Sequence, residues 1–153
     1  MIEYYANIAE IVGVILVVIT LAFLTLEIRH NTRALRATTI QAVMQSEMAL
    51  SSFLATHAET WEKVLTAAPP AAGAEMRRAL ILFTVFMIDT ENRYHQFLAG
   101  LLDAQSWESR KSTIPELVRL PVFPAWRESP GGRSHAADFL VLVDREAASA
   151  AES

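Results

Sequence analysis

One long apolar stretch near the start of the chain constrains it more than any other feature. Residues 8–26 contain a single charged side chain, Glu10, and at helical rise they would extend over roughly 28 Å. That length matches the hydrocarbon layer of a bilayer, so the stretch predicts a transmembrane helix. A buried core helix would usually carry a wider polar stripe. A cleaved signal peptide fits less well, because no Lys or Arg precedes the stretch and no small-residue cleavage pattern follows it.

The charges that flank the stretch predict its orientation. Glu3 and Glu10 precede or begin it, whereas Arg29, Arg33 and Arg36 follow it. Basic residues are retained on the cytoplasmic side, so we expect a single-pass protein of a bacterial inner membrane with its N-terminus outside. The three arginines are expected to contact anionic lipid headgroups.

Length and composition limit the part of the chain beyond the anchor. The chain has 153 residues, which leaves room for one further domain with a single core. We expect a membrane anchor and basic neck at 1–33, a cytoplasmic helical domain at 34–146 and a flexible tail at 147–153. The net charge of −4 argues against a nucleic-acid partner, because such binding relies on clustered Lys and Arg.

Apolar periodicity after the anchor indicates helices throughout. Positions 40–64 carry apolar residues at spacings of three and four, and the short Pro-rich segment 68–73 favours an antiparallel turn into a helix from Ala74 to Leu102. The apolar centre of that helix, 79–88, is too short to span a bilayer, so a core position is preferred over a second span. The fold class is therefore all-α: one N-terminal transmembrane helix, then a small antiparallel bundle of about three to four helices.

The last third of the chain carries several helix signals. Asp103 is a candidate N-cap for a helix that carries Trp107. Thr113 and Glu116 have capping-box spacing with Pro115 between them. Residues 121–133 indicate an ordered crossing loop pinned by aromatic side chains, and a final helix is expected after Ser134, which would cap it.

One face of the predicted anchor carries small and polar residues. The stripe comprises Glu10, Gly13, Val17, Thr20 and Leu24, which follow three-four spacing. A carboxylate, a glycine and a hydroxyl on one side of a membrane helix favour close packing against another helix. We therefore expect a homo-oligomer or contact with the subunits of a larger membrane complex. A channel is the weaker alternative, because a pore would carry more polar residues at mid-membrane.

Three groups of residues have types that could support chemistry. In the first, Glu27 and His30 have the spacing of di-iron ligands, but one copy beside three arginines favours a salt-bridged neck. In the second, Ser134, His135 and Asp138 are triad residue types without a nucleophile elbow. Neither of these two groups supports a catalytic or metal assignment.

A polar cluster on the central helix is the third group. Glu91 and His95 are one helical turn apart with Arg93 between them, so they could pair as acid and base or bind a metal. Structural pairing is preferred, since no nucleophile or third ligand accompanies them. We predict no catalytic, cofactor or metal residues.

Several segments along the chain share a pattern: 7–13, 27–36, Glu91, Asn92, Tyr94, Gln96, 100–103, Trp107, the Trp126 loop, Phe139 and Asp144. In these segments the chain resembles a broad group of uncharacterised bacterial membrane proteins with one N-terminal transmembrane helix and a C-terminal cytoplasmic helical domain. In the loop where that group often has a pair of tryptophans, this chain has a single one, Trp126. The resemblance implies the architecture and no reaction, cofactor or ligand.

Two classes of function are compatible with these observations. The preferred one is a membrane-anchored helical protein that self-associates or serves as an accessory subunit of a larger inner-membrane complex, without catalysis of its own. The alternative is a small membrane-tethered enzyme or ligand sensor that uses the Glu91–His95 cluster.

Overall fold

The computed structural model describes residues 2–66 and 73–152, with side chains from residue 12 onward. These residues form helices and no strand, which confirms the all-α fold class. The helices are α1 (Ile2–Thr56), α2 (Ala58–Thr66), α3 (Ala74–Leu98), α4 (Ala104–Lys111), α5 (Ile114–Val118), α6 (Phe123–Glu128), α7 (Pro130–Arg133) and α8 (Ala137–Glu152). The expected turn at 68–73 lies outside the described residues except for Gly73.

The chain divides into two compact units, Met1–Thr38 and Thr39–Ser153. The first consists of the N-terminal part of α1, and the second contains the rest of α1 with α2 to α8. The predicted boundaries 1–33, 34–146 and 147–153 remain predictions. Of the predicted tail, residues 147–152 belong to α8.

Helix α3 forms the centre of the second unit. Its buried residues include Phe83 and Met87, both fully inaccessible, and it packs against α2, α4, α6 and α7. The ring of Phe83 lies 5.1 Å from that of Trp126 on α6, which is also fully buried. The core is completed by Trp107, Ile114, Val122, Phe139 and Val143. The predicted core position of α3 is thus observed.

Helix α3 ends four residues earlier than the predicted Leu102, at Leu98. Gly100 has a φ of 70°, and the N–H groups of Leu101 and Leu102 both donate to the carbonyl of Gln96. A glycine in the left-handed region is the usual way to close a helix, so the chain turns there. Asp103 then begins α4 as expected, because its carboxylate accepts from the Ser106 backbone N–H at 2.9 Å.

Two expected caps are wrong. The Thr113 hydroxyl donates to the Arg110 carbonyl at 2.8 Å and makes no cap hydrogen bond to α5, so it closes α4 and forms no capping box. The Ser134 hydroxyl donates backwards to the Gly131 carbonyl at 2.7 Å. Residues 121–133 are also more regular than the predicted loop, since α6 and α7 each begin with a proline in the first turn.

Candidate functional site

The part of α1 in the first unit exposes an apolar surface on all of its sides. Every described side chain from 12 to 38 is exposed, including Val17 at 59% and Phe23 at 62%. The hydroxyls of Thr20 and Thr25 donate to carbonyls of their own helix at 2.8 Å. These polar groups therefore need no outside partner. Within the described part of the chain, α1 is the one helix long and apolar enough to cross a membrane.

The predicted packing stripe lies on this exposed surface. Gly13, Val17, Thr20 and Leu24 are exposed, and a Cβ added at Gly13 would meet nothing within 4 Å. The Glu10 side chain is outside the described residues. Arg29, Arg33 and Arg36 are likewise exposed. The roles assigned to all of these residues stay predictions.

The second unit contains a buried carboxylate that sequence reasoning missed. Asp89 on α3 is 7% exposed and accepts three side-chain hydrogen bonds. The donors are the Ser46 hydroxyl at 2.6 Å, the Arg93 Nε at 2.9 Å and the Arg110 Nη2. A buried carboxylate is tolerated when it is paired and fully hydrogen-bonded, and these three donors meet that condition.

The two arginines around Asp89 are unequally satisfied. Arg110 donates from Nε to the Thr90 hydroxyl at 3.1 Å, and its guanidinium carbon lies 4.1 Å from the centre of the Phe86 ring. Burial lowers the pKa of Arg110, the Asp89 carboxylate opposes that shift, and the nearby Arg93 charge adds to it. In contrast, the Nη2 atom of Arg93 is buried and has no hydrogen-bond acceptor among the described residues.

A cavity of about 330 Å³ opens beside these arginines, lined by residues of α1, α3 and α4 and by their flanking segments. Its polar wall consists of Arg93, Arg110, Glu47, Ser106, Ser109 and Thr113, and its apolar wall consists of Ile40, Val43, Met44 and Leu102. Glu47 approaches the Nη2 of Arg93 to 3.6 Å, and its side chain is 59% exposed. The cavity thus combines two guanidinium groups with an apolar side.

A second charged contact joins α3 to the start of α8. Glu91 accepts from the backbone N–H of Ala136 at 2.6 Å and lies 2.6 Å from Nδ1 of His135. The ring of His135 is buried against Trp126 and Phe139. A carboxylate at a helix N-terminus satisfies an otherwise unpaired N–H and interacts favourably with the helix dipole, so Glu91 caps α8 in place of Ser134.

The three side chains of the predicted cluster, Glu91, Arg93 and His95, each have a different partner in the structure. Glu91 is held by His135, Arg93 by Asp89, and His95 lies 3.5 Å from Asp138. Glu91 and His95 lie one turn apart on the same face of α3, with their partners His135 and Asp138 at the start of α8, whereas Arg93 lies on the other side of the helix. No acid–base pair forms between Glu91 and His95.

The other sequence candidates are also separated from one another. Glu27 and His30 are exposed on α1. Ser134 bonds to Gly131, and His135 bonds to Glu91, so neither contacts the other as a triad would. Within the described ranges, no group of three or more His, Asp or Glu side chains is arranged to hold a metal ion.

Comparisons with protein-family models, with curated proteins and with solved structures find no match for this chain. The architecture defines the class of the protein: a long apolar N-terminal helix is followed by further helices. This architecture is the one that the resemblance implied, and membership of a bacterial group of membrane proteins stays a prediction.

Proposed function

We propose that this protein is a membrane-anchored helical protein that associates, through its N-terminal helix, with copies of itself or with the subunits of a larger bacterial inner-membrane complex. The observation that carries the proposal is the complete exposure of the apolar side chains from 12 to 28. In water such a surface costs about 25 cal/mol for each Å² exposed, whereas lipid removes that cost.

The stripe on α1 supplies the reason to propose association. Gly13 leaves open space beside the helix backbone, and Thr20 has its hydroxyl bonded within the helix. A glycine and an internally bonded hydroxyl on one side of a helix allow a neighbouring helix to approach closely there, which is how membrane helices gain packing contacts. Nothing in the second unit is assigned a catalytic part in this proposal.

Association is tested with a pair of matched substitutions. Gly13→Ile adds bulk to the stripe, and Ala22→Ile adds comparable bulk on the opposite side of the same helix. We expect native membranes treated with a cross-linker to yield a defined oligomer or complex from the wild-type chain and from Ala22→Ile, and much less from Gly13→Ile. A lone monomer from every chain, with no co-purifying subunit, would contradict the proposal.

The proposed orientation has its own test, which uses the absence of cysteine in the chain. A single Ala6→Cys or Ala148→Cys substitution introduces one thiol at either end. With the N-terminus outside, a membrane-impermeant maleimide labels Ala6→Cys in intact spheroplasts and labels Ala148→Cys only after permeabilisation. The reverse pattern would reject the proposed orientation, and labelling of both thiols in sealed spheroplasts would reject a single span.

A further inference from the structure

The cavity beside Asp89 has a polar group that the protein itself does not satisfy. Arg93 lines the cavity with a side chain that is 7% exposed, and its Nη2 atom is buried without a hydrogen-bond acceptor among the described residues. Leaving a buried donor of a charged group unpaired is unfavourable. An oxyanion placed in the cavity would supply the missing acceptor.

The charges around the cavity favour an anion over a cation. Asp89 lies behind the two arginines and is already occupied by three donors. The remaining carboxylate, Glu47, is more than half exposed and approaches Arg93 without hydrogen-bonding to it, so it can turn to water when another anion enters. Arg110, Ser106, Ser109 and Thr113 also line the cavity. The hydroxyls of Ser106 and Thr113 already donate to the Asp103 carboxylate and the Arg110 carbonyl, so the arginines are the charged donors for an anion.

The apolar wall adds a second requirement for the ligand. Ile40, Val43, Met44 and Leu102 face the cavity, and its volume of about 330 Å³ is within the range of small-molecule sites. We propose that this cavity binds a phosphate ester of an apolar chain, with the phosphate at Arg93 and Arg110 and the chain against the apolar wall. Guanidinium groups are well suited to bind phosphate through paired N–H donors.

The proposal is tested on the full-length protein in phosphatidylcholine nanodiscs, with octyl phosphate as the probe. We expect saturable binding by calorimetry, weaker binding of inorganic phosphate because it lacks the chain, and none of octylphosphocholine because its head carries no net charge. Equal binding of octyl phosphate and octylphosphocholine would overturn the proposal.

Three variants separate a binding site from a merely structural arrangement. Glu47→Gln removes the competing carboxylate and should tighten octyl phosphate binding by about fivefold, an effect that no structural role of Glu47 predicts. Ser109→Leu fills the cavity from α4 and should weaken binding by at least about tenfold, whereas Ala104→Leu adds bulk on the other side of α4 and should leave it unchanged. Thermal unfolding checks that each variant is folded. Unchanged affinity in both Glu47→Gln and Ser109→Leu would refute the site.

A second nanodisc composition distinguishes a phosphate ester that comes from the bilayer from one that comes from solution. If phosphatidylglycerol in the bilayer occupies the cavity, its inclusion abolishes the heat of octyl phosphate binding in the wild type, and the cavity is a lipid site. If octyl phosphate binds equally in both compositions, the ligand is a soluble ester. Both results require the binding seen in phosphatidylcholine, and its absence there would reject the proposal. Failure here leaves the proposed association through the stripe on α1 untouched, because the two are measured separately.

Discussion

Helix α1 exposes its apolar side chains along one stretch and buries some of them along the next. From 12 to 38 every described residue is exposed, whereas from 39 to 56 the helix buries Val43 and Leu50 and directs the Ser46 hydroxyl to Asp89. The first stretch is the more apolar of the two, yet only the second has a packed interior around it. Burial in this chain therefore follows the presence of neighbouring helices and not the hydropathy of the segment.

The contrast extends to the charges of the second unit. Asp89 and Arg93 are buried there, while Phe23 on the first stretch is 62% exposed. Pairing with an opposite charge offsets the cost of burying Asp89 and Arg93. An exposed apolar helix carries no such cost when it is surrounded by lipid. The two stretches of α1 thus suit different environments, which is the physical basis of the proposed anchor.

Phenylalanine offers the sharpest test of this contrast. Phe83→Ala removes a fully buried ring and should lower the free energy of unfolding of the second unit by about 3–5 kcal/mol. Phe23→Ala should change it by less than about 0.5 kcal/mol, because that ring contributes nothing to the packed core. Denaturant unfolding in detergent, followed by tryptophan fluorescence, reports on the second unit alone, since all three tryptophans lie there. Comparable losses in the two variants would break the contrast.

The buried carboxylate should give the next largest effect. Asp89→Ala leaves Arg93 and Arg110 without their shared partner, and breaking a buried pair in this way costs about 3 kcal/mol. Glu108→Ala removes an exposed carboxylate that pairs with Lys111, and it should cost less than about 0.5 kcal/mol. The same unfolding measurement applies. An Asp89→Ala variant as stable as Glu108→Ala would show that the buried network adds nothing to stability.

The contact between α3 and α8 should give a smaller effect. Glu91→Ala removes the acceptor for the Ala136 N–H and the partner of His135, for an expected loss of about 2 kcal/mol. A double-mutant cycle with His135→Ala should show coupling, and a cycle with His95→Ala should show none. Coupling to His95 and not to His135 would contradict the contact between Glu91 and His135.

The sequence predicted the elements better than it predicted their partners. The apolar length of 8–26, the Asp103 cap and the core position of α3 follow from local patterns, because each depends on residues within a few turns of one another. The helix end near Gly100 was not predicted, because the apolar residues on both sides of the glycine continue the helical pattern to Leu102. Glycine followed by Asp103 was the available signal.

The candidate site could not be predicted, because it is made of distant residues. Structural pairing of Glu91 was preferred over an acid–base pair with His95, but its partner could not be named because His135 lies 44 positions along the chain. Asp89 directly follows the apolar segment 79–88, and a carboxylate at that position is a sign of a buried partner that the sequence alone does not name. Arg110 also pairs with Asp89, and no local feature of the sequence distinguishes it from the exposed arginines of the chain.

The smallest expected effect belongs to an ion pair between α6 and α8. Arg127 donates to both oxygens of Asp144 at 2.9 Å, and this contact lowers the pKa of Asp144 and raises that of Arg127. The Asp144 side chain is half exposed, so Asp144→Asn should cost only about 0.5 kcal/mol at neutral pH. Urea unfolding of the wild type and the variant measures the difference.

The pH dependence of that difference identifies its origin. The carboxylate has a lower pKa in the folded state than its ordinary 3.8, so its contribution is complete above about pH 5 and is lost as the pH falls through the folded-state pKa. The gap between wild type and Asp144→Asn should therefore close as the pH is lowered from about 5 toward about 2. A gap that persists in acid would assign the contribution of Asp144 to packing, and the contact would then belong with the buried core and not with the solvated surface.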